Sequence, residues 1–162
     1  MSKLEEILRN LIKTMSEYNT LNYGGCCVFA TEVAHRLYEK GYYVSIRLED
    51  YHNDCNININ SIRLNKKVLK KNNPAKTYYA NNVSLKHVLL EIQIDSNRKY
   101  FDSEGIYDKS NYDNILLGRL TLEEARKMAN YGGNWNRQFD RELIPDIIYK
   151  INTIIENLPT ID

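Results

Sequence analysis

A chain of 162 residues is long enough to bury a hydrophobic core and short enough for one domain, expected to span residues 1–162. Its net charge of +1 exerts no general pull toward nucleic acid or an anionic membrane, and no apolar run approaches the roughly 20 residues of a membrane span. Three cysteines, two of them adjacent, argue against a disulfide framework, and the N-terminal Met1-Ser2-Lys3-Leu4-Glu5-Glu6 lacks the apolar stretch of a secretory leader, so a cytoplasmic setting is expected.

Leu4, Ile7, Leu8, Leu11, Ile12 and Met15 recur at helical spacing and predict an amphipathic helix over residues 3–17. Residues 18–25 read as a polar, glycine-containing turn. A second helix is predicted from Cys26 to about Lys40, with the apolar stripe Cys26, Ala30, Val33, Ala34 and Leu37 and with Gly41 as its stop. Tyr42 to Leu48 alternates as a strand does, and Asn56-Ile57-Asn58-Ile59-Asn60 opens a strand toward Leu64. Lys66, Lys67, Lys70 and Lys71 form a basic patch read as a solvated face, before a turn at Asn72-Asn73-Pro74. Leu85 to Ile94 and Lys99 to Asp102 are predicted as antiparallel partners joined by a hairpin turn at 95–98. Thr121-Leu122-Glu123-Glu124 is a capping box for a helix to about Asn130, which Tyr131-Gly132-Gly133-Asn134 breaks. A last helix is predicted from Phe139 to Leu158, with Pro145 either kinking it or starting its main segment. Helices, then strands, then helices give an α+β class.

The chemistry-bearing residue types converge on one thiol. Cys26 follows Gly24-Gly25 and starts a helix, where unpaired backbone N–H groups and the helix dipole favour the thiolate, the nucleophilic form. Acyl transfer by a thiol needs a base to hold it ionised and a group to orient that base. His87 and Asp102 fill those roles in order, one on each strand of the predicted hairpin. His35, nine residues beyond Cys26, falls on the opposite side of the helix and reads as a surface histidine. Cys27 lies about 100° around the helix from Cys26 and reads as a packing residue. His52, Asp54 and Cys55 cluster without a second ligand pair at zinc-site spacing and read as a loop. Glu91, at an even offset from His87, shares its sheet face and is expected to pair with a lysine across the strands. Trp135 sits in a glycine-flanked loop that either covers a cleft or is anchored by that ring. No metal or cofactor is called for.

The run Gly25-Cys26-x-x-Phe29-Ala30, with Gly41 closing the helix, resembles the nucleophile helix of papain-like cysteine enzymes, and is closer to their transglutaminase-like branch. His87-Val88-Leu89-Leu90-Glu91-Ile92 is similar to that branch's histidine strand, and Tyr100-Phe101-Asp102 to its strand ending in the triad aspartate. Arylamine acetyltransferases share the same triad logic and a Gly-Gly shortly before the cysteine. The resemblance covers roughly residues 22–103. It implies a papain-like, transglutaminase-like fold in which the nucleophile helix packs on an antiparallel sheet flanked by N- and C-terminal helices. Cys26 would be the nucleophile, His87 the base and Asp102 the orienting acid. Thr20 stands where papain-like enzymes carry an oxyanion glutamine. The backbone N–H of Cys26, the Asn22 side chain, Gly25 and Trp135 are therefore the candidates on the oxyanion and substrate side. The expected function is cysteine-dependent acyl transfer on an amide or thioester, as a protease, amidase, deamidase or acyltransferase, with a protein or small-molecule acyl substrate. The alternative is an inactive binding protein of the same fold, or a phage or bacterial effector that binds a host protein or small molecule.

Overall fold

The structure is a computed structural model that describes residues 1–18, 21, 25–50, 56–58, 82–108, 115–123, 125–126 and 139–161. It is α+β. Helices α1 (Lys3–Met15), α2 (Cys26–Glu39) and α3 (Ile144–Glu156) accompany strands β1 (Val44–Asp50), β2 (Asn56–Asn58), β3 (Asn82–Ile94), β4 (Asn97–Phe101), β5 (Ile106–Tyr107) and β6 (Ile115–Leu120). The sheet is antiparallel in the order β5-β4-β3-β1-β6, with short β2 pairing the start of β3.

Local chemistry explains each helix end. Ser2 caps α1 by accepting the Glu5 amide at 3.2 Å, which satisfies one of the free N–H groups of the first turn. Leu4, Ile7, Leu8, Leu11 and Met15 of α1 face inward, while Ile12 is only partly buried. Beyond α1, the Tyr18 hydroxyl donates to Asp146, and Lys150 pairs with Glu17 and Asp146, which ties this end of the chain to α3. Gly41, at φ +84°, takes the left-handed conformation that ends α2, and the Tyr42 amide reaches back to the Leu37 carbonyl at 2.9 Å. Pro145 starts α3 rather than kinking a longer helix: it sits in the first turn, behind a 3-10 turn at Arg141–Leu143 capped by Asp140.

Helix α2 packs against β3 and β1 on one side and α3 on the other. That position buries its whole N-terminal half, Cys26 through Thr31, and not the predicted stripe alone. Val44, Ile46, Val88, Leu90, Ile92, Ile94, Phe101 and Leu120 supply the sheet's side of the core.

Asp95 and Ser96, at φ 49° and 68°, form the two-residue turn between β3 and β4, the hairpin type whose twist matches the strands it joins. Strands β5 and β6 are additions to the sequence reading, and β3 begins three residues before the predicted Leu85. After Thr121 the Ala125 amide bonds the Thr121 carbonyl at 3.0 Å, in helical fashion. Leu122, Glu123, Ala125 and Arg126 are helical, while residues 124 and 127–130 of that predicted helix, the continuation from Ile59 to Leu64, the lysine patch, and His52, Asp54 and Cys55 lie outside the described residues. No helix among the described residues is long and apolar enough to cross a membrane.

Candidate active site

Cys26 opens α2, with Gly25 as the residue before its first turn and the Phe29-to-Gly25 bond (3.1 Å) closing that turn. Gly25 is a glycine for lack of space. A Cβ there would lie 2.7 Å from Leu21 Cδ1, 2.9 Å from the Leu21 carbonyl oxygen and 2.9 Å from Phe139 Cε2. Since one neighbour is backbone, Gly25→Ala is expected to cost about 1–3 kcal/mol as an overpacking change. A melting curve checks it, and an unchanged midpoint would show that the helix start yields freely.

His87 lies on β3 and Asp102 directly after β4. Their side chains meet, His87 Nε2 to Asp102 Oδ2 at 2.8 Å. The His87 ring also lies within interacting reach of the Cys26 side chain. Pairing of β1 with β3 runs regularly to Glu49↔His87 and then shifts, so that Asp50 pairs Leu85. An irregularity of this kind re-aims side chains, and this one falls at His87. All three groups are nearly dry: Cys26 is 1% exposed, His87 9% and Asp102 5%.

Burial by itself would lower the proton affinity of the imidazole. Hydrogen bonds to Asp102 and Cys26 and the electrostatic pull of both partners outweigh it and push His87 up from 6.5 to about 10. The ring is thus an imidazolium at neutral pH, set between a carboxylate and a sulfur.

The Asp102 carboxylate is held from several directions. Its Oδ1 accepts the Glu104 amide at 2.8 Å and the Gly105 amide at 3.0 Å, while the Asp102 amide donates to the Gly105 carbonyl at 3.1 Å. This tight turn sends the chain back as β5, which places Tyr107 where its hydroxyl bonds Asp102. Burial, and then the charges of Asp102 and Glu104, push the Tyr107 phenol up to about 12, so it remains a donor throughout the useful pH range. Gly105 makes room for that ring, since a Cβ there would lie 2.7 Å from Tyr107 Cζ and hydroxyl. Tyr107 is the residue the sequence reading missed. No signal in a two-residue strand announces it, and only the turn at Asp102–Gly105 brings it back. Tyr107→Phe removes one donor of four and is expected to cost about 1.5–3 kcal/mol, the worth of a hydrogen bond to a charged group. Denaturant unfolding measures it, and no loss would mean the phenol is not holding the acid.

Cys27 is buried, and its thiol donates to the Ala125 carbonyl at 3.1 Å, a packing position with a weak bond. His35 faces Glu39 across one helical turn at 3.2 Å, away from the site. Glu91 pairs with arginines, not with a lysine: Arg47, Arg98 and Arg119 surround it. The strand order sets this: β1, β4 and β6 each bring an arginine to Glu91, where a lysine was expected. Asn22 and Trp135 lie outside the described residues.

A thiol, an imidazolium and a carboxylate in a hydrogen-bonded row, at the start of a helix, can generate a nucleophile and return a proton to a leaving group. No protein-family model, no curated protein and no solved structure matches the chain.

Proposed function

We propose that this chain is a cysteine-dependent acyl-transfer enzyme of papain-like, transglutaminase-like fold. The observation that carries the reading is the row Cys26–His87–Asp102, with His87 set between the other two and its proton affinity raised. Cys26 sulfur attacks the carbonyl carbon of an amide or thioester and pushes the carbonyl electrons onto oxygen. As that tetrahedral species collapses, His87 gives its proton to the leaving nitrogen or sulfur, and an acyl-Cys26 thioester remains. His87, now neutral, takes a proton from water or an amine, which attacks the thioester, and the Cys26 thiolate re-forms. Asp102 fixes the ring orientation and stabilises its charge throughout. The amide of Cys26, at the positive end of α2, is the donor proposed for the developing oxyanion.

The near-complete burial of Cys26 favours the second reading, a binding protein that keeps the row for structure alone. The rate of Cys26 alkylation by iodoacetamide against pH separates the two. Enzyme chemistry predicts fast labelling well below pH 8.5, where a free thiol ionises, and loss of that advantage in His87→Ala. Because the site must open to the reagent, the wild-type-to-variant ratio is the quantity to read. A ratio near one across the range would exclude the catalytic pair.

A further inference from the structure

The sheet carries a second constellation, built from residues that the thiol row does not use. Alternation along β3 puts Glu91 on the face opposite Leu90 and Ile92, which belong to the core. Glu91 is buried there, paired across the sheet with Ser45 on β1 and Tyr100 on β4. Three guanidiniums from three strands converge on its one carboxylate. Arg47 Nε lies 3.5 Å from Oε2, and Arg98 Nε (3.3 Å) and Arg119 Nη2 (3.6 Å) both address Oε1.

One carboxylate cannot balance three guanidiniums. Among the described residues, three positive charges and one negative leave an excess of two. The arginines feel it: burial lowers the proton affinity of Arg47, Glu91 opposes that, and Arg119 and Arg98 lower it further. The donors are not used up either. Arg47 Nε is buried without a hydrogen-bond partner, and Arg98 and Arg119 keep side chains 64% and 54% exposed. The chain from Cys55 to Leu90 holds no aspartate or glutamate and seven lysines and arginines. Clustering like charges costs stability unless something completes the cluster, and guanidinium forks match tetrahedral oxyanions in shape.

We propose that Arg47, Arg98 and Arg119, propped in place by Glu91, form a binding site for a phosphate dianion on the sheet. A phosphate group carries about −1.5 to −2 at neutral pH, which matches the excess, whereas a single carboxylate does not. Glu91 is the positioning group that spaces the guanidiniums, and Arg98 and Arg119 are the exposed arms that reach the ligand.

The probes are inorganic phosphate, phenyl phosphate and acetate, titrated at constant ionic strength set with sodium chloride. The readout is the set of arginine Nε–H resonances in the full chain. The site predicts saturable shifts of the Arg98 and Arg119 signals with both phosphates, and acetate binding weaker by at least about tenfold, since the doubly charged ligand makes more charge-assisted bonds. Tighter binding of phenyl phosphate assigns the site to a phosphate ester, and equal binding assigns it to free phosphate. The double variant Arg98→Gln/Arg119→Gln changes only exposed side chains and is expected to fold and to lose saturable binding. Shifts that rise linearly, that chloride reproduces, or that persist unchanged in the double variant would overturn the proposal.

Discussion

Asp102→Ala is expected to cost the fold about 3–5 kcal/mol, the penalty for removing one partner of a buried, hydrogen-bonded ion pair. The alanine leaves His87 buried and charged, and it strips the acceptor from the Glu104 and Gly105 amides and the Tyr107 hydroxyl. Asp102→Asn separates the two roles. It keeps an acceptor for both amides but carries no charge for the ring, so it is expected to keep much of the stability and to lose on the order of 10³–10⁴ in the proposed acyl transfer. The pH dependence has a definite sign. His87 has its proton affinity raised on folding, from 6.5 to about 10. Its stabilisation is therefore complete below pH 6.5 and is lost as the pH rises through about 10. Denaturant unfolding of wild type and Asp102→Ala should show the widest gap near the low end of that window and a narrowing gap toward the high end. A gap constant with pH would mean that His87 is not held as an imidazolium.

Phe101→Ala is the second large effect, about 3–5 kcal/mol, because a fully buried ring leaves a cavity the sheet cannot close. Phe101 meets Phe29 with ring centroids 5.6 Å apart and planes tilted by 50°. Phe29 stands one turn beyond Cys26 in α2, and Phe101 directly precedes Asp102. The ring pair thus clamps the nucleophile's helix to the acid's strand. A double-mutant cycle with Phe29→Leu and Phe101→Leu should give a coupling of about 0.5–1.5 kcal/mol. The Phe101→Leu variant should also lose part of the fast alkylation of Cys26 although it touches neither sulfur nor imidazole. Additive losses with unchanged alkylation would show that the clamp is ordinary packing.

Local rules were legible in the sequence, and long-range placement was less so. The Ser2 cap, the α1 stripe, the Gly41 stop and the turn near Asp95 and Ser96 each depend on a few consecutive residues, so spacing alone exposes them. Cys26, His87 and Asp102 could be named because a hairpin relates two of them and a helix start marks the third. Strand β5 is two residues long, too short to alternate, and β6 is interrupted by Gly118, which blurs its pattern. Tyr107 and the arginines around Glu91 owe their positions to a turn and to the strand order, with β1 between β3 and β6. No periodicity encodes either. The full burial of the first turns of α2 likewise reflects a helix covered on two sides, which a stripe calculated for one side understates.

The two-residue turn at Asp95 and Ser96 works as a vernier for the row further up the ladder. It sets Ile94 against Asn97, and the pairing counts up from there to Leu90 against Phe101, so that Asp102 comes off the end of β4 beside His87. A slip of one place would bring Phe101 or Ser103 to that spot, an aromatic ring or a hydroxyl instead of a carboxylate. Every residue of the row could then be intact and the row still be dismantled. Turn length is accordingly a heritable tuning element of this protein, and an insertion there would dismantle the row with no substitution in the row to explain it.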